Sequence, residues 1–140
     1  MTLKLFVDTW GWLALADRED PRHKQAAASY TERSKLTGQV FTSNFVLDET
    51  LTILFSRRPF EEAWRFTQGV VGSPFLKTEL VTAGRFQKGL ELRRKFSDEP
   101  KISFTDLSSM VIMKELGISD VLTADSHFSQ VGLGFRMLPE

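Results

Sequence analysis

Short apolar runs alternate with longer stretches of helical apolar spacing along the whole chain, and this alternation constrains the fold more than any other feature. The runs at residues 3–7, 39–42, 75–81, 120–123 and 135–138 read as strands, the first ending at Asp8. Helical spacing marks residues 9–16, 44–56, 60–71, 82–96, 105–116 and a short turn at 126–131. A further helix is expected over 22–35. Asp20 stands as its N-cap, Pro21 occupies the first helical position, and Gly38 closes it. Gly72, Ser73 and Pro74 end one helix, and Gly117 ends another. Strands that alternate with helices pair in parallel through right-handed crossovers. The expected class is therefore α/β, in three layers, with a central parallel sheet of four to five short strands and helices on both faces. A length of 140 residues suits one domain spanning 1–140.

Composition narrows the chemistry. The chain has no cysteine, so any metal must sit on oxygen or imidazole, and a cytoplasmic location is permitted. The first residues lack the long apolar core of a signal peptide, and no segment approaches the roughly 18 apolar residues of a membrane span. Lys plus Arg and Asp plus Glu are both 18, so global charge does not advertise a nucleic-acid binder. If four acids are gathered around cations, 18 basic residues face 14 acidic ones, and that local excess can meet phosphates.

Position then singles out acids. In an open parallel sheet, ligands bind beyond the carboxyl ends of the strands, where the strand order reverses. Asp8 follows the first strand directly, and Asp125 follows the strand ending at Thr123 with one residue between, so both belong to one rim. Each also reads as a helix cap. Asp106 lies in the first turn of its helix, three residues after Ser103, a spacing that also suits a capping arrangement. Its i+4 and i+7 neighbours are Met110 and Met113, which puts this carboxylate above an apolar face, where a charge needs a partner. Helical spacing does not separate Glu49 from Asp48. Two carboxylates about 4 Å apart repel by roughly 4 kcal/mol at an effective dielectric near 20, so a cluster needs cations or protons. Hard oxygen ligands suit Mg2+ or Mn2+, and phosphodiester hydrolysis uses such ions to acidify water and neutralise a leaving oxygen.

The segments Phe6-Val7-Asp8-Thr9, Val46-Leu47-Asp48-Glu49, Ser103-Phe104-Thr105-Asp106 and Val121-Leu122-Thr123-Ala124-Asp125 together resemble PIN-domain proteins, most closely the VapC-like toxins of toxin and antitoxin operons. The similarity spans nearly the whole chain in order, and the stretch from Ser103 to Phe128 is its most specific part. The resemblance implies a PIN-like fold and a Mg2+- or Mn2+-dependent endoribonuclease acting on RNA. It also implies a homodimer held inactive by a cognate antitoxin. Asp8, Glu49 and Asp106 match the three principal acids and Asp125 a fourth, all four being candidate catalytic residues and metal ligands. That match chooses Glu49 over Asp48. Thr9 and Thr123 are candidates for hydrogen bonds that orient the carboxylates, and they also read as ordinary helix-start and strand-end residues.

Trp10 and Trp12 depart from the small residues that relatives often place there. They are candidates for stacking on a splayed RNA base, with core filling as the plainer reading. His127 reads as a loop histidine or a general base, and His23 as a polar helix residue. Arg57 with Arg58, and Arg93, Arg94 and Lys95, are the densest basic runs, placed either for RNA phosphates or, in the second run, for a helix C-terminus. Phe60 and Trp64 are expected in the core, whereas Phe66 falls off their stripe, toward a dimer contact or an antitoxin groove. Two rival functions remain: a catalytically inactive docking module for protein or RNA, and an aspartate-nucleophile phosphotransferase. The second would want an acid two residues after Asp8, where Trp10 stands.

Overall fold

A computed structural model describes residues 4–35 and 39–140. Among these, five strands form one sheet: β1 (Leu5–Val7), β2 (Val40–Ser43), β3 (Leu76–Glu79), β4 (Asp120–Leu122) and β5 (Arg136–Leu138). All neighbours pair in parallel, in the order β3-β2-β1-β4-β5. Seven helices flank the sheet: α1 (Thr9–Ala16), α2 (His23–Arg33), α3 (Asn44–Arg57), α4 (Phe60–Val71), α5 (Ala83–Lys95), α6 (Phe104–Leu116) and α7 (His127–Gln130). The three central strands are wholly buried and mostly apolar, as strands covered on both faces must be, with Thr42, Ser43 and Asp120 as their polar residues. The expected α/β class and parallel sheet are therefore observed. Strand order reverses between β1 and β4. The chain first steps outward through β2 and β3, then returns to lay β4 against the other side of β1.

The boundaries differ in instructive ways. The second strand runs one residue past Thr42, and Ser43 then caps α3 by accepting a hydrogen bond from the Val46 N–H at 3.1 Å. Asp20 does not cap α2. Its carboxylate closes a turn on the Arg22 N–H at 2.8 Å, and the helix begins at His23, because the polar Asp-Pro segment spends its acid on the turn itself. Leu3 and Gly38 lie outside the described residues. Gly117 does end α6, in the left-handed conformation (φ 67°) that glycine adopts without strain.

Trp12 is 1 % exposed and ties the centre of the sheet together. Its indole Nε1 donates to Thr42 Oγ1 (3.0 Å), which donates in turn to the Val7 carbonyl (2.9 Å), so a buried relay fixes the end of β1 just ahead of Asp8. Its ring packs edge-on against Tyr30 and Phe66. Trp12 is thus a core residue and unavailable to a base. The expected roles on α4 are exchanged as well. Phe66 packs against the core cluster, whereas Phe60 (61 % exposed) and Trp64 (45 %) stack on each other at 5.9 Å in solvent. The buried face of α4 runs through Ala63 and Val70, roughly a quarter turn from Phe60 and Trp64 at about 100° per residue.

One glycine sets how closely α1 approaches the sheet. A Cβ on Gly11 would lie 2.5 Å from the Leu122 carbonyl oxygen and 2.9 Å from Val7 Cγ1. Gly11→Ala is expected to destabilise the fold by about 1–3 kcal/mol despite alanine's better helix propensity, because backbone on both sides must move. Urea unfolding of the two proteins measures this directly.

Candidate functional site

The register between β1 and β4 aligns Val7 with Leu122, so the next residues, Asp8 and Thr123, lie side by side at the carboxyl ends of these strands. Thr123 Oγ1 donates to Asp8 Oδ2 at 2.8 Å and accepts from the Asp125 N–H at 2.9 Å. One hydroxyl thus fixes two acidic segments relative to each other. Asp8 also caps α1 through the Gly11 N–H at 3.3 Å, so the capping reading is observed in a residue that also lines the cleft. Asp125 Oδ1 accepts from the His127 N–H at 2.9 Å, which turns the chain back over the rim.

Asp106 reaches the same place from the first turn of α6. Ser103 caps that helix by accepting from the Asp106 N–H at 3.0 Å, and the Asp106 carboxylate is left facing the other acids. Glu49 comes from α3, half-buried, while its neighbour Asp48 is exposed. Asp8, Glu49, Asp106 and Asp125 all line one cleft of about 520 Å³, together with Thr9, Trp10, Leu13, Arg22, Lys101, Ser103 and Ala124. The cleft opens where the strand order reverses, which is the ligand position expected for such a sheet.

Electrostatics show that these acids share a field. Burial pushes Asp8 from 3.8 up to about 7 against the opposing hydrogen bonds from Thr123 and Gly11, and the Asp125 charge adds to the rise. Asp106 is raised further, first by burial, then by Asp125, and also by the charges of Asp8 and Glu49. Among the described residues no lysine or arginine forms an ion pair with any of the four; the only cationic candidate is His127, whose Nδ1 lies 3.0 Å from Asp125 Oδ1 and 3.8 Å from Asp106 Oδ2. Asp120 is the contrasting case. It is equally buried on β4, but Arg33 (2.8 Å) and Arg136 (2.9 Å) hold it, and although burial alone would raise it, their hydrogen bonds and charges bring it below the ordinary carboxylate value. Arginines thus pair with the buried acid that serves structure, whereas the four cleft acids have no lysine or arginine ion pair among the described residues.

A PIN-domain family profile matches residues 5–133. The chain belongs to the PIN-domain family. Among PIN-domain proteins it is similar to the 23S rRNA-specific endonuclease VapC20 of Mycobacterium tuberculosis, 34% identical over 128 residues that span 91% of this chain and 94% of that protein. A VapC ribonuclease of Archaeoglobus fulgidus is 28% identical over 130 residues, 91% of this chain and 81% of its own length. The crystal structure of Mycobacterium tuberculosis VapC20, described as a Sarcin-Ricin loop cleaving toxin, superposes with a TM-score of 0.81 at 32% identity, covering 92% of this chain and 95% of that one. PAE2754 of Pyrobaculum aerophilum, at 15% identity and a TM-score of 0.66, shares the PIN-like fold; it covers 96% of this chain and 89% of its own.

Within the PIN cleft, the donor set fits a hard divalent cation. Four carboxylates converge with no lysine or arginine paired to them among the described residues, and the Thr9 hydroxyl, on a residue 9 % exposed, is buried with no hydrogen-bond partner. The basic residues beside the acids are Arg22 and Lys101, which sequence reasoning passed over in favour of denser runs. Arg93 instead ties the loop ahead of α6, donating to the carbonyls of Phe96, Glu99 and Ile102, and Arg58 pairs with Glu62. A signal for Lys101 was available: it precedes by two residues the serine that caps the helix carrying Asp106. His23 donates its Nδ1–H to the Ala14 carbonyl at 2.8 Å and joins α2 to α1.

Proposed function

We propose that this PIN-domain protein is a divalent-cation-dependent endoribonuclease of the VapC type. The observation that carries this reading is the convergence of Asp8, Glu49, Asp106 and Asp125 on one cleft with no lysine or arginine paired to them among the described residues. These four carboxylates would hold one or two Mg2+ or Mn2+ ions. Bound there, a divalent ion would acidify an attacking water and neutralise charge on the leaving oxygen of the phosphodiester.

The chain's own residues do the rest. Thr123 orients the Asp8 carboxylate and anchors the Asp125 backbone beside it, so the two acidic segments are held in place for an ion. Arg22 and Lys101 bring positive charge to a cleft whose floor is acidic, which suits a polyanion approaching the rim. Trp10 is half-buried at the wall, with the Arg22 guanidinium 5.5 Å from its ring centre, and together they form an aromatic and cationic platform for an unstacked base. Trp10→Ala is expected to weaken binding of single-stranded RNA by about 1–3 kcal/mol, the usual worth of one stacked base, and to lower the melting temperature by several degrees because the ring also packs partly against the core. Fluorescence anisotropy with a labelled oligonucleotide, beside a melting curve, checks both halves.

VapC20 is named for 23S rRNA, so ribosomal RNA is the substrate to test first. A cognate antitoxin and a second copy of the chain are the proposed protein partners. Exposed Phe60 and Trp64 on α4, and exposed Phe86 and Leu90 on α5, are the apolar surfaces offered to them. No helix among the described residues is long and apolar enough to cross a membrane, and we place the protein in the cytoplasm with its RNA. The deciding experiment incubates purified protein with ribosomal and total RNA, with Mn2+, with chelator, and as Asp8→Asn. Cleavage that needs both the ion and Asp8 supports the reading. RNA left intact, with no melting shift on adding Mg2+ or Mn2+, would instead make the chain a docking module.

A further inference from the structure

Beside the acidic cleft, among the described residues, one possible metal donor is not an oxygen. His127 lies two residues after Asp125, and its backbone N–H bonds Asp125 Oδ1 at 2.9 Å, so the turn folds the imidazole back over the acids. Nδ1 then sits 3.0 Å from Asp125 Oδ1 and 3.8 Å from Asp106 Oδ2. That short contact is off-axis: Nδ1 is shielded from solvent and has no hydrogen-bond partner. A buried ring nitrogen that touches a carboxylate without bonding it has its in-plane direction aimed elsewhere. One donor atom each from Asp106, Asp125 and His127 lie within 4.8 Å of one another. Donors about 2.1 Å from a shared ion are themselves separated by roughly 3–4 Å, so small rotations close the set. Independently, the Thr9 hydroxyl on the same cleft is buried and unpartnered, as expected of a group awaiting an ion or its water.

We propose that His127 is a metal ligand, making the centre an oxygen site with one imidazole face that favours borderline transition metals over Mg2+. The physical basis is ligand softness. Carboxylates suit Mg2+ and Mn2+ alike, whereas imidazole adds affinity for later first-row ions such as Co2+, Ni2+ and Zn2+ and little for Mg2+. Asp8 and Glu49, which line the same cleft, would complete the set with oxygen alone.

This inference rests on the cleft being a cation site, and the experiment separates the two. Co2+ and Mg2+ are titrated by calorimetry into the wild-type chain, His127→Asn and His127→Gln, with the Co2+ visible absorption recorded in parallel. Metal-free melting curves certify that each variant is folded. The expected result is a loss of Co2+ affinity of about tenfold or more in both variants with less than about threefold change for Mg2+, plus a shifted cobalt band. Equal changes for both ions would overturn the proposal. So would tighter binding of both, which would mark His127 as a cationic partner of the acids whose removal leaves more negative charge for any metal. Wild-type protein that binds neither ion would remove the cation site itself.

Discussion

Asp106→Asn and Asp120→Asn should shift the melting temperature of the metal-free protein in opposite directions. Both residues are shielded from solvent, at 8 % and 9 % exposure, so surface exposure does not distinguish them. Their surroundings do. Asp106 faces Asp125, Asp8 and Glu49, and its one side-chain partner in the field is another acid, Asp125, rather than a cation. An amide there removes repulsion, and the melting temperature should stay level or rise by a few degrees. Asp120 is gripped by Arg33 and Arg136, and Arg33 is itself buried. An amide there removes the carboxylate that both guanidiniums grip, at a cost of about 3 kcal/mol, the low end for a buried pair because Arg136 is half in solvent. For a chain of this size that is a fall of roughly 10 °C.

Activity should separate the two variants just as sharply. Asp106→Asn is expected to lower RNA cleavage by about a thousandfold or more, since losing several kcal/mol of charge stabilisation costs a factor of ten per 1.36 kcal/mol. Asp120→Asn, assayed well below its melting temperature, should cleave at close to the normal rate. Calorimetry and gel-based cleavage on the same preparations measure both. A marked loss of stability in Asp106→Asn would show that this acid braces the fold.

The second large effect is in pH. An acid whose folded value is raised keeps its proton in the native state after the unfolded chain has lost it. Stability is then greatest at low pH and falls as pH rises through the window between the two values. For Asp8 that window runs from about 4 to about 7, and the full difference is on the order of 4 kcal/mol at 1.36 kcal/mol per unit. Asp106 shifts in the same direction and extends the decline to higher pH. The metal-free protein should therefore melt several degrees higher at pH 5 than at pH 7.5, the reverse of a protein stabilised by salt-bridged carboxylates. Asp8→Asn should flatten the slope. Saturating divalent ion should raise stability at pH 7.5, by about 2.7 kcal/mol at a hundredfold excess over Kd, and do little at pH 5. Thermal scans across pH, with and without Mn2+, give the comparison. A melting temperature that climbs from pH 5 to pH 7.5 in chelator would contradict the assigned burial and repulsion.

Much of this was legible before any coordinates, because period and position carry the information. Apolar runs too short to be helices, each followed by helical spacing, specify a parallel sheet, and the acid directly after β1 must then stand on its rim. Asp125 follows from the same logic, and Asp106 from its place in the first turn of α6 on the face of Met110 and Met113. Glu49 does not: α3 is apolar on several sides, so spacing leaves Asp48 and Glu49 equivalent, and only tertiary packing turns one inward. Trp10 and Trp12 show the same limit. They are two residues apart on one helix, yet one is locked to Thr42 in the core and the other lines the cleft. On α4 the largest aromatics drew attention to the wrong stripe, because the buried face is built from the small Ala63 and from Val70. The Asp120 pair with Arg33 was invisible for another reason: its partners are 87 and 16 residues away, and charge pairing across that distance leaves no local pattern.

The central claim is that carboxylates from four separate segments share divalent ions at the head of β1 and β4. Anomalous diffraction from crystals soaked in Mn2+, collected at the manganese edge, tests it most directly. The account predicts one or two strong peaks within bonding distance of Asp8, Glu49, Asp106 and Asp125, lost in crystals of Asp8→Asn. Fully occupied manganese elsewhere with none in this cleft, or acids there found paired with Arg22 and Lys101, would contradict it.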